Sequence, residues 1–275
     1  MMAGLWNREL LTRVISALAL LPLVLFAVIY GRAPFLAMLV VAGGLMLFEW
    51  TRLTGVRPQL ARAATIAFLL LLGAGAFLFS DQIRVRDATF AAVLSGLTLA
   101  ALGLLFRWRD IVWICMGLVY VLVPIGALLY LRLAPDGAFW VLWTLAVVWA
   151  TDIGAFFAGR IIGGPKLAPI FSPKKTWAGL FGGLALAMLA AWGGGELADQ
   201  YWPDGLADHL PPLLFAGGVS LLSQAGDLME SALKRRFDVK DSSRLIPGHG
   251  GLLDRVDGLI FAVVAVAVYW GMNYA

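Results

Sequence analysis

Nine apolar stretches, separated by shorter polar segments, constrain the fold of this chain more than any other feature of its sequence. Each contains 15 to 21 residues, and a transmembrane helix needs about 20 apolar residues to cross a bilayer. Charged residues make up 14% of the chain, whereas typical soluble domains contain about 25%. The sequence therefore predicts an all-α, polytopic integral membrane protein with about nine transmembrane helices. The predicted spans are residues 10–30, 34–48, 63–79, 88–106, 111–131, 138–158, 177–192, 213–228 and 258–274.

The positions of Lys and Arg predict the orientation of these helices, because basic loops near helix ends stay on the cytoplasmic side. With a cytoplasmic N-terminus, 17 of the 21 Lys and Arg residues lie inside and 4 lie outside. Residues 193–212, GGGELADQYWPDGLADHLPP, then form an outside loop with four acids and no base. The pattern predicts an N-in, C-out topology. The first stretch lacks a small-residue cleavage site and is expected to remain as a helix.

Up to about residue 137 the apolar stretches carry few polar residues, and after it more polar residues enter them. Residues 1–137 are predicted to form about five helices without a catalytic signature. Residues 138–275 are predicted to form the catalytic region, with cytoplasmic loops at 159–176 and 229–257. Asp152 lies inside an apolar stretch, where a charge costs about 2.5 to 3.5 kcal/mol and usually faces a cavity, a metal or a partner charge. Asp152 is therefore predicted to be functional, with a structural pair to Arg160 as the alternative.

The segment GGPKLAPIFSPKKTWAG, residues 163–179, combines helix-breaking residues with cations. Its prolines and glycines exclude a continuous helix. Lys174, Lys175 and Thr176 precede the next span and offer two cations, a hydroxyl and helix N-terminal amides, a combination that binds phosphate. The alternative is a basic anchor that attracts anionic lipid through charge alone.

Two pairs of acids flank a glycine-rich segment near the end of the chain. Asp227 and Glu230 are three residues apart, hence on one helical face, and Asp254 and Asp257 repeat this spacing. Carboxylates from two helices can converge on a hard cation such as Mg²⁺, which prefers oxygen ligands. The glycines of PGHGG let backbone amides approach a phosphate closely. The region is predicted to hold metal with acids and phosphate with bases, against the alternative of a solvated loop.

The segment SALKRRFDVKDSSRLIPGHGGLLDRVDG, residues 231–258, resembles the signature of the phosphatidate cytidylyltransferases, also called CDP-diacylglycerol synthases. The resemblance extends upstream through GDLMES, SPKKTWAG and TDIGAFFAGR, so it covers about residues 149–258. Ala178 departs from the Glu or Gln that often follows the Trp in this family, which argues against an essential polar role at that position.

The resemblance implies an enzyme that converts CTP and phosphatidate into CDP-diacylglycerol and pyrophosphate with Mg²⁺ and a second cation such as K⁺. It implies an active site on the cytoplasmic side of the inner membrane, surrounded by membrane lipids, a homodimer, and no nucleic-acid partner. Three alternatives remain: a secondary transporter that uses the intramembrane Asp152, another metal-dependent lipid phosphotransferase, and a lipid-binding scaffold. The D-G-x2-A-R-x8-G-x3-D-x3-D pattern of the CDP-alcohol phosphotransferases is absent from the sequence.

The residues assigned to these roles follow from the motifs together with the resemblance. Glu49, in FEWTR, is expected to have a helix-end or interhelical role and not a catalytic one. The predicted metal ligands are Asp227, Asp254, Asp257 and Asp152. The predicted catalytic residues are Asp227, Lys234, Lys240, Asp254 and Asp257. The predicted substrate-binding residues are Ser172, Lys174, Lys175, Thr176, Ser231, Arg235, Gly248, His249, Gly250, Gly251 and Arg255.

Overall fold

The structure, a computed structural model, describes residues 16, 18–61, 65, 109–201, 211–243, 245–248 and 250–274. These residues are mainly helical, and they include one pair of short strands. The helices are α1 (Leu18–Tyr30), α2 (Arg32–Leu53), α3 (Arg109–Leu133), α4 (Gly137–Ile161), α5 (Trp177–Tyr201), α6 (Leu213–Arg236) and α7 (Leu253–Tyr274), and the strands are β1 (Lys166–Ala168) and β2 (Ser172–Thr176).

Five helices of the described part of the chain are long and apolar enough to cross a membrane, namely α2, α3, α4, α7 and residues Trp177–Ala198 of α5. This confirms the prediction of an all-α membrane protein. The spans predicted at residues 63–79 and 88–106 fall outside the described residues, apart from residue 65. The number of nine spans and the N-in, C-out orientation therefore stay predictions.

Helix α6 contains the predicted eighth span, but it is not among the helices apolar enough to cross a membrane. It continues beyond residue 228 to Arg236 and ends in three basic residues. Ser220, Ser223, Gln224 and Glu230 are buried on this helix. Polar groups on α6 thus face the protein interior, which explains why its hydropathy falls below that of its neighbours.

The described chain divides into two compact units. The first consists of Met1–Leu133 with Phe237–Val256, and the second of Ala134–Arg236 with Asp257–Ala275. Helix α7 begins in the first unit and continues in the second. Residues 138–275 were predicted to form the catalytic region, and this functional division of the chain stays a prediction.

Trp50 joins α2 to α3 inside the first unit. It is 2% exposed, and its indole Nε1 donates a hydrogen bond of 2.7 Å to the carbonyl oxygen of Trp113. Its ring centroid lies 4.9 Å from that of Tyr120. A Cβ on Gly117 would overlap the Trp50 ring, so a glycine is needed for this approach. The buried indole has its N–H satisfied, as an apolar interior requires.

Close backbone contact joins α4 to α5 in the second unit. A Cβ on Gly154 would meet the carbonyl oxygen of Gly182, and one on Gly183 would lie 2.9 Å from the carbonyl oxygen of Thr151. Small residues allow such approach in membranes, where helices associate through van der Waals packing and hydrogen bonds. Thr151 Oγ1 also donates to Ser220 Oγ at 3.0 Å and so connects α4 with α6.

Strands β1 and β2 form an antiparallel hairpin between α4 and α5, with Lys166 opposite Thr176. The chain leaves α4 through Gly163 and Gly164, whose φ angles of +68° and +93° are readily adopted only by glycine. Thr176 Oγ1 accepts a hydrogen bond of 3.1 Å from the Gly179 amide and thereby caps α5. The sequence predicts the break between the helices, but it did not predict the strands.

Candidate active site

Three acids predicted as metal ligands lie in the second unit, each on a different helix. Asp152 belongs to α4, Asp227 to α6 and Asp257 to α7. Asp257 interacts electrostatically with both of the other acids and with Lys234. Like charges at short range repel one another, and a nearby cation relieves that repulsion. The structure therefore brings together three acids that are 30 to 105 residues apart in sequence.

Lys175 supplies a positive charge to this acid cluster. Its Nζ lies 2.6 Å from Asp227 Oδ2 and donates to the carbonyl oxygen of Gln224 at 3.5 Å. The side chains of Lys175 and Asp227 are 22% and 34% exposed, so the pair is only partly screened by solvent. Ser231 Oγ donates to Asp227 Oδ1 at 3.4 Å. Asp227 is therefore held between an ammonium group and a hydroxyl group.

The two adjacent lysines of β2 have different surroundings. Lys174 is exposed, whereas Lys175 is half-buried and contacts Asp227. Successive side chains of a strand point to opposite faces, so the hairpin directs neighbouring lysines apart. Of the two residues predicted to bind phosphate, Lys175 is the one that the structure brings to the acid cluster.

The last turns of α6 place further cations near this cluster. Glu230 is 1% exposed, and its Oε1 lies 3.3 Å from Lys234 Nζ. A buried carboxylate requires a positive partner, so Glu230 fixes Lys234, which also interacts with Asp257. Arg235 Nε donates to the carbonyl oxygen of Phe171 at 3.5 Å and connects α6 to the hairpin.

Asp254 lies in the first unit, where it orders the glycine loop, a name used here for the described residues Gly248, Gly250 and Gly251. Its Oδ2 accepts hydrogen bonds from the Ser242 amide at 2.9 Å, the Ser242 hydroxyl at 2.9 Å and the Gly251 amide at 2.8 Å. Gly248 and Gly250 have φ angles of +77° and +85°, which side chains rarely allow. A carboxylate and two left-handed glycines thus give the loop its shape.

Glu49 reaches the same segment from α2. It is fully buried, and its carboxylate accepts hydrogen bonds from the backbone amides of Leu252 and Leu253, where α7 begins. This confirms the expected helix-end role of Glu49. Ser242 and Ser243, which also donate to this carboxylate, were not predicted as part of the site. Glu49 was marked by its position at the end of an apolar stretch, whereas Asp152 was marked by its position inside one.

The other residues predicted for the site differ in their surroundings. Ser172 is half-buried in β2, while Lys240 and Arg255 are exposed. Thr176 is buried as a helix cap, a role the sequence did not suggest, and its part in substrate binding stays a prediction. His249 lies outside the described residues. Among those described, no group of three or more His, Cys, Asp or Glu side chains is arranged to hold a metal ion. The metal assignments therefore stay predictions.

Comparison with known proteins places the chain in a family. The sequence model of the Cytidylyltransferase family matches residues 11–272, which is nearly the whole chain. The chain belongs to the cytidylyltransferase family. This confirms the resemblance seen in the motifs and extends it to the N-terminal helices, where no signature was recognised.

Relatives within the cytidylyltransferase family align with almost the full length of this chain. A protein of Brucella suis biovar 1 named phosphatidate cytidylyltransferase is 39% identical over 271 residues, 97% of this chain and 95% of the relative. Proteins of the same name from Pseudomonas aeruginosa and Bacillus subtilis are 35% and 33% identical, over 94% of this chain and 98% and 94% of their own lengths.

Proposed function

We propose that this member of the cytidylyltransferase family transfers the cytidylyl group of CTP to phosphatidate, giving CDP-diacylglycerol and pyrophosphate. The observation that carries the proposal is the pairing of Lys175 with Asp227 in the acid cluster, since both belong to motifs that resemble the family signature. The names of the full-length relatives support the same substrates. A transporter or a scaffold gives no reason for this concentration of paired acids and bases.

The reaction requires little proton transfer. An oxygen of the lipid phosphate attacks the α-phosphorus of CTP, and the bond from that phosphorus to the bridging oxygen of the β-phosphate breaks, so pyrophosphate leaves with the electron pair. The second pKa of a phosphate monoester is about 6, and the attacking group is therefore largely ionised at pH 7. The protein must mainly bring two polyanions together and stabilise the developing charge.

Residues of the second unit are suited to that task. Lys175 and Lys234 are each paired with an acid, Asp227 and Glu230 respectively, so their ammonium groups are positioned before substrate binds. Such preorganised charge stabilises a transition state without further rearrangement. Exposed Lys174 would attract the nucleotide polyanion. Lys240 and Arg255, which are exposed in the first unit, carry charge of the same sign.

The donor chemistry of the acid cluster suits Mg²⁺, although the described side chains are not arranged to hold the ion. The three acids of the cluster, Asp152, Asp227 and Asp257, together with the neighbouring Glu230, carry four formal negative charges, against two positive charges on Lys175 and Lys234. Carboxylate oxygens are the ligands that Mg²⁺ prefers. Asp152, Asp227 and Asp257 would hold the ion once their carboxylates are drawn together, and the bound ion would neutralise phosphate charge as a Lewis acid. A ligand role for Asp254, and a second cation such as K⁺, are proposed from the family resemblance alone.

Purified protein in detergent micelles is expected to release pyrophosphate only when CTP, phosphatidate and Mg²⁺ are all supplied, because each takes part in the proposed reaction. Chelation with EDTA should abolish release, and added Mg²⁺ should restore it. The measurements are pyrophosphate release and the appearance of CDP-diacylglycerol by mass spectrometry. Substrate uptake into proteoliposomes without any such turnover would support the transporter alternative instead.

The active site is further proposed to face the cytoplasm in an inner-membrane protein. The excess of Lys and Arg in the loops around the candidate site supports this orientation. Cytosolic CTP would then reach the site directly, while phosphatidate would enter from the surrounding lipid. A homodimer is proposed from the family resemblance, and the mass of the detergent-solubilised protein by light scattering tests it.

Thiol labelling of intact cells tests the sidedness across α4. Cys115 is the only cysteine of the sequence and is buried. Single cysteines are therefore introduced into a cysteine-free Cys115→Ser variant. An impermeant maleimide should label Pro135→Cys, in the exposed loop before α4, from outside, because that loop is predicted to be external. Lys166→Cys, exposed on β1, should react only after the cytoplasmic face is opened. The opposite labelling pattern would contradict the topology.

A further inference from the structure

A fully buried acid on α2, Glu49, is the centre of a hydrogen-bond network in the first unit. Its Oε1 accepts the Ser243 hydroxyl at 2.5 Å and the Leu252 amide at 2.9 Å. Its Oε2 accepts the Ser242 hydroxyl at 3.3 Å and the Leu253 amide at 2.8 Å. Each oxygen therefore accepts one backbone N–H and contacts one hydroxyl, and the single proton of the Ser242 hydroxyl is shared with Asp254. A buried carboxylate is tolerated only with such compensation.

The two amides belong to the start of α7, where N–H groups lack partners within the helix. A negative charge at this end also interacts favourably with the helix dipole. Glu49 thus caps α7 from a distant part of the chain, which fixes the position of its first turn.

Ser242 links this cap to Asp254. Its hydroxyl contacts both carboxylates, at 3.3 Å for Glu49 and 2.9 Å for Asp254. Gly251 lies against the same groups, since a Cβ there would be 2.7 Å from each Glu49 oxygen and would overlap the Ser242 hydroxyl. The backbone of the glycine loop, the Asp254 side chain and the start of α7 are therefore fixed through one buried carboxylate.

We propose that Glu49 is a positioning residue for cytidylyl transfer, which holds the glycine loop and Asp254 in their working conformation. This inference rests on the proposed function, because it assumes that the loop and Asp254 take part in that reaction. Glu49 makes no proposed contact with substrate. Its effect on the reaction passes through Ser242, Gly251 and the first turn of α7.

Glu49→Gln is the most selective test of this role, because it preserves the size of the side chain. Whichever way the amide is turned, its NH₂ group faces the N–H of Leu252 or Leu253, and a backbone N–H cannot become an acceptor. We expect kcat/KM for CTP, per folded protein, to fall at least tenfold. Hydrogen exchange of the amides of residues 251–253 should become at least tenfold faster. Glu49→Asp keeps the charge and both acceptor oxygens on a side chain one methylene shorter. Its kcat/KM should be higher, and its amide exchange slower, than in Glu49→Gln.

Two further variants complete the experiment. Glu196→Gln removes an exposed acid from α5 and should leave both readouts within twofold of the wild type. Ser243→Ala removes one of the four donors without changing a buried charge, and it provides the measurement if Glu49→Gln does not fold. It should raise amide exchange and lower kcat/KM to a smaller degree.

The outcomes separate this inference from the proposed function. Unchanged kinetics or unchanged exchange in both Glu49→Gln and Ser243→Ala, with an active wild type, would overturn the positioning role and leave the enzymatic assignment intact. An inactive wild type whose amides still exchange faster in Glu49→Gln would overturn the function and show that the cap is purely structural.

Discussion

Asp227→Asn should lower kcat/KM for CTP and phosphatidate on the order of 10³-fold while the protein still folds and inserts. The substitution preserves the shape of the side chain but removes the charge that holds Lys175 at 2.6 Å and that is proposed to bind Mg²⁺. Metal ligation contributes several kcal/mol of transition-state stabilisation, which corresponds to a rate effect of this size. Pyrophosphate release measured across a Mg²⁺ titration gives the result.

Asp136→Asn is the matched control for this change. Asp136 is exposed before α4 and has a left-handed φ of 52°, which asparagine also accepts readily. Its activity should equal that of the wild type. Near-normal turnover of Asp227→Asn at saturating Mg²⁺, with an unaltered Mg²⁺ dependence, would remove Asp227 from both the metal site and the reaction.

Lys175→Arg should reduce kcat/KM much more than Lys174→Arg, although the two substitutions preserve the same charge. Lys175 lies in a half-buried site with one ammonium-to-carboxylate contact, and the broad planar guanidinium is a poor substitute for a compact point charge. We expect a loss of about 1 to 3 kcal/mol for Lys175→Arg, the range for a disturbed charged hydrogen bond. Exposed Lys174 should tolerate arginine within twofold. Initial rates with varied CTP and varied phosphatidate provide the comparison.

The glutamine variants show whether charge alone explains these lysines. Lys175→Gln should lose more activity than Lys175→Arg, whereas Lys174→Gln should mainly weaken the attraction of CTP at low salt. Equal and small effects at both positions, together with altered thiol labelling across α4, would indicate that the pair acts as a membrane anchor.

The helices could be predicted because the information for a span is local. An apolar stretch of sufficient length identifies α2, α3, α4, α5 and α7 without any knowledge of their neighbours. The strands of the hairpin could not, since β1 has three residues and its pairing with β2 depends on the helices that precede and follow it. The low hydropathy of α6 comes from polar side chains such as Ser220. The buried partner of Ser220 is Thr151 on α4, which the sequence of α6 does not reveal.

The residue types of the candidate site could be predicted from the sequence, whereas most contacts between those residues could not. Asp152 was recognised as an acid inside an apolar stretch, and Asp227 and Asp257 as members of acid pairs three residues apart. In the structure Asp257 interacts electrostatically with both of the others. The different surroundings of Lys174 and Lys175 depend on strand geometry, and the sequence treated the two alike. The contact of Glu49 with Ser242 joins residues 193 positions apart, beyond the range of any local pattern.

The cap on α7 has a consequence for the order in which the protein is built. Leu252 and Leu253 follow Glu49 by 203 and 204 residues, so they leave the ribosome long after α2. At about 5 to 20 residues per second, synthesis of that interval takes about 10 to 40 seconds. A carboxylate without these donors is costly to desolvate, so we expect the end of α2 to stay hydrated until α7 has been synthesised. Burial of Glu49 is therefore expected to accompany a late step in the assembly of this unit, because chains interrupted before residue 252 lack both backbone donors to its carboxylate.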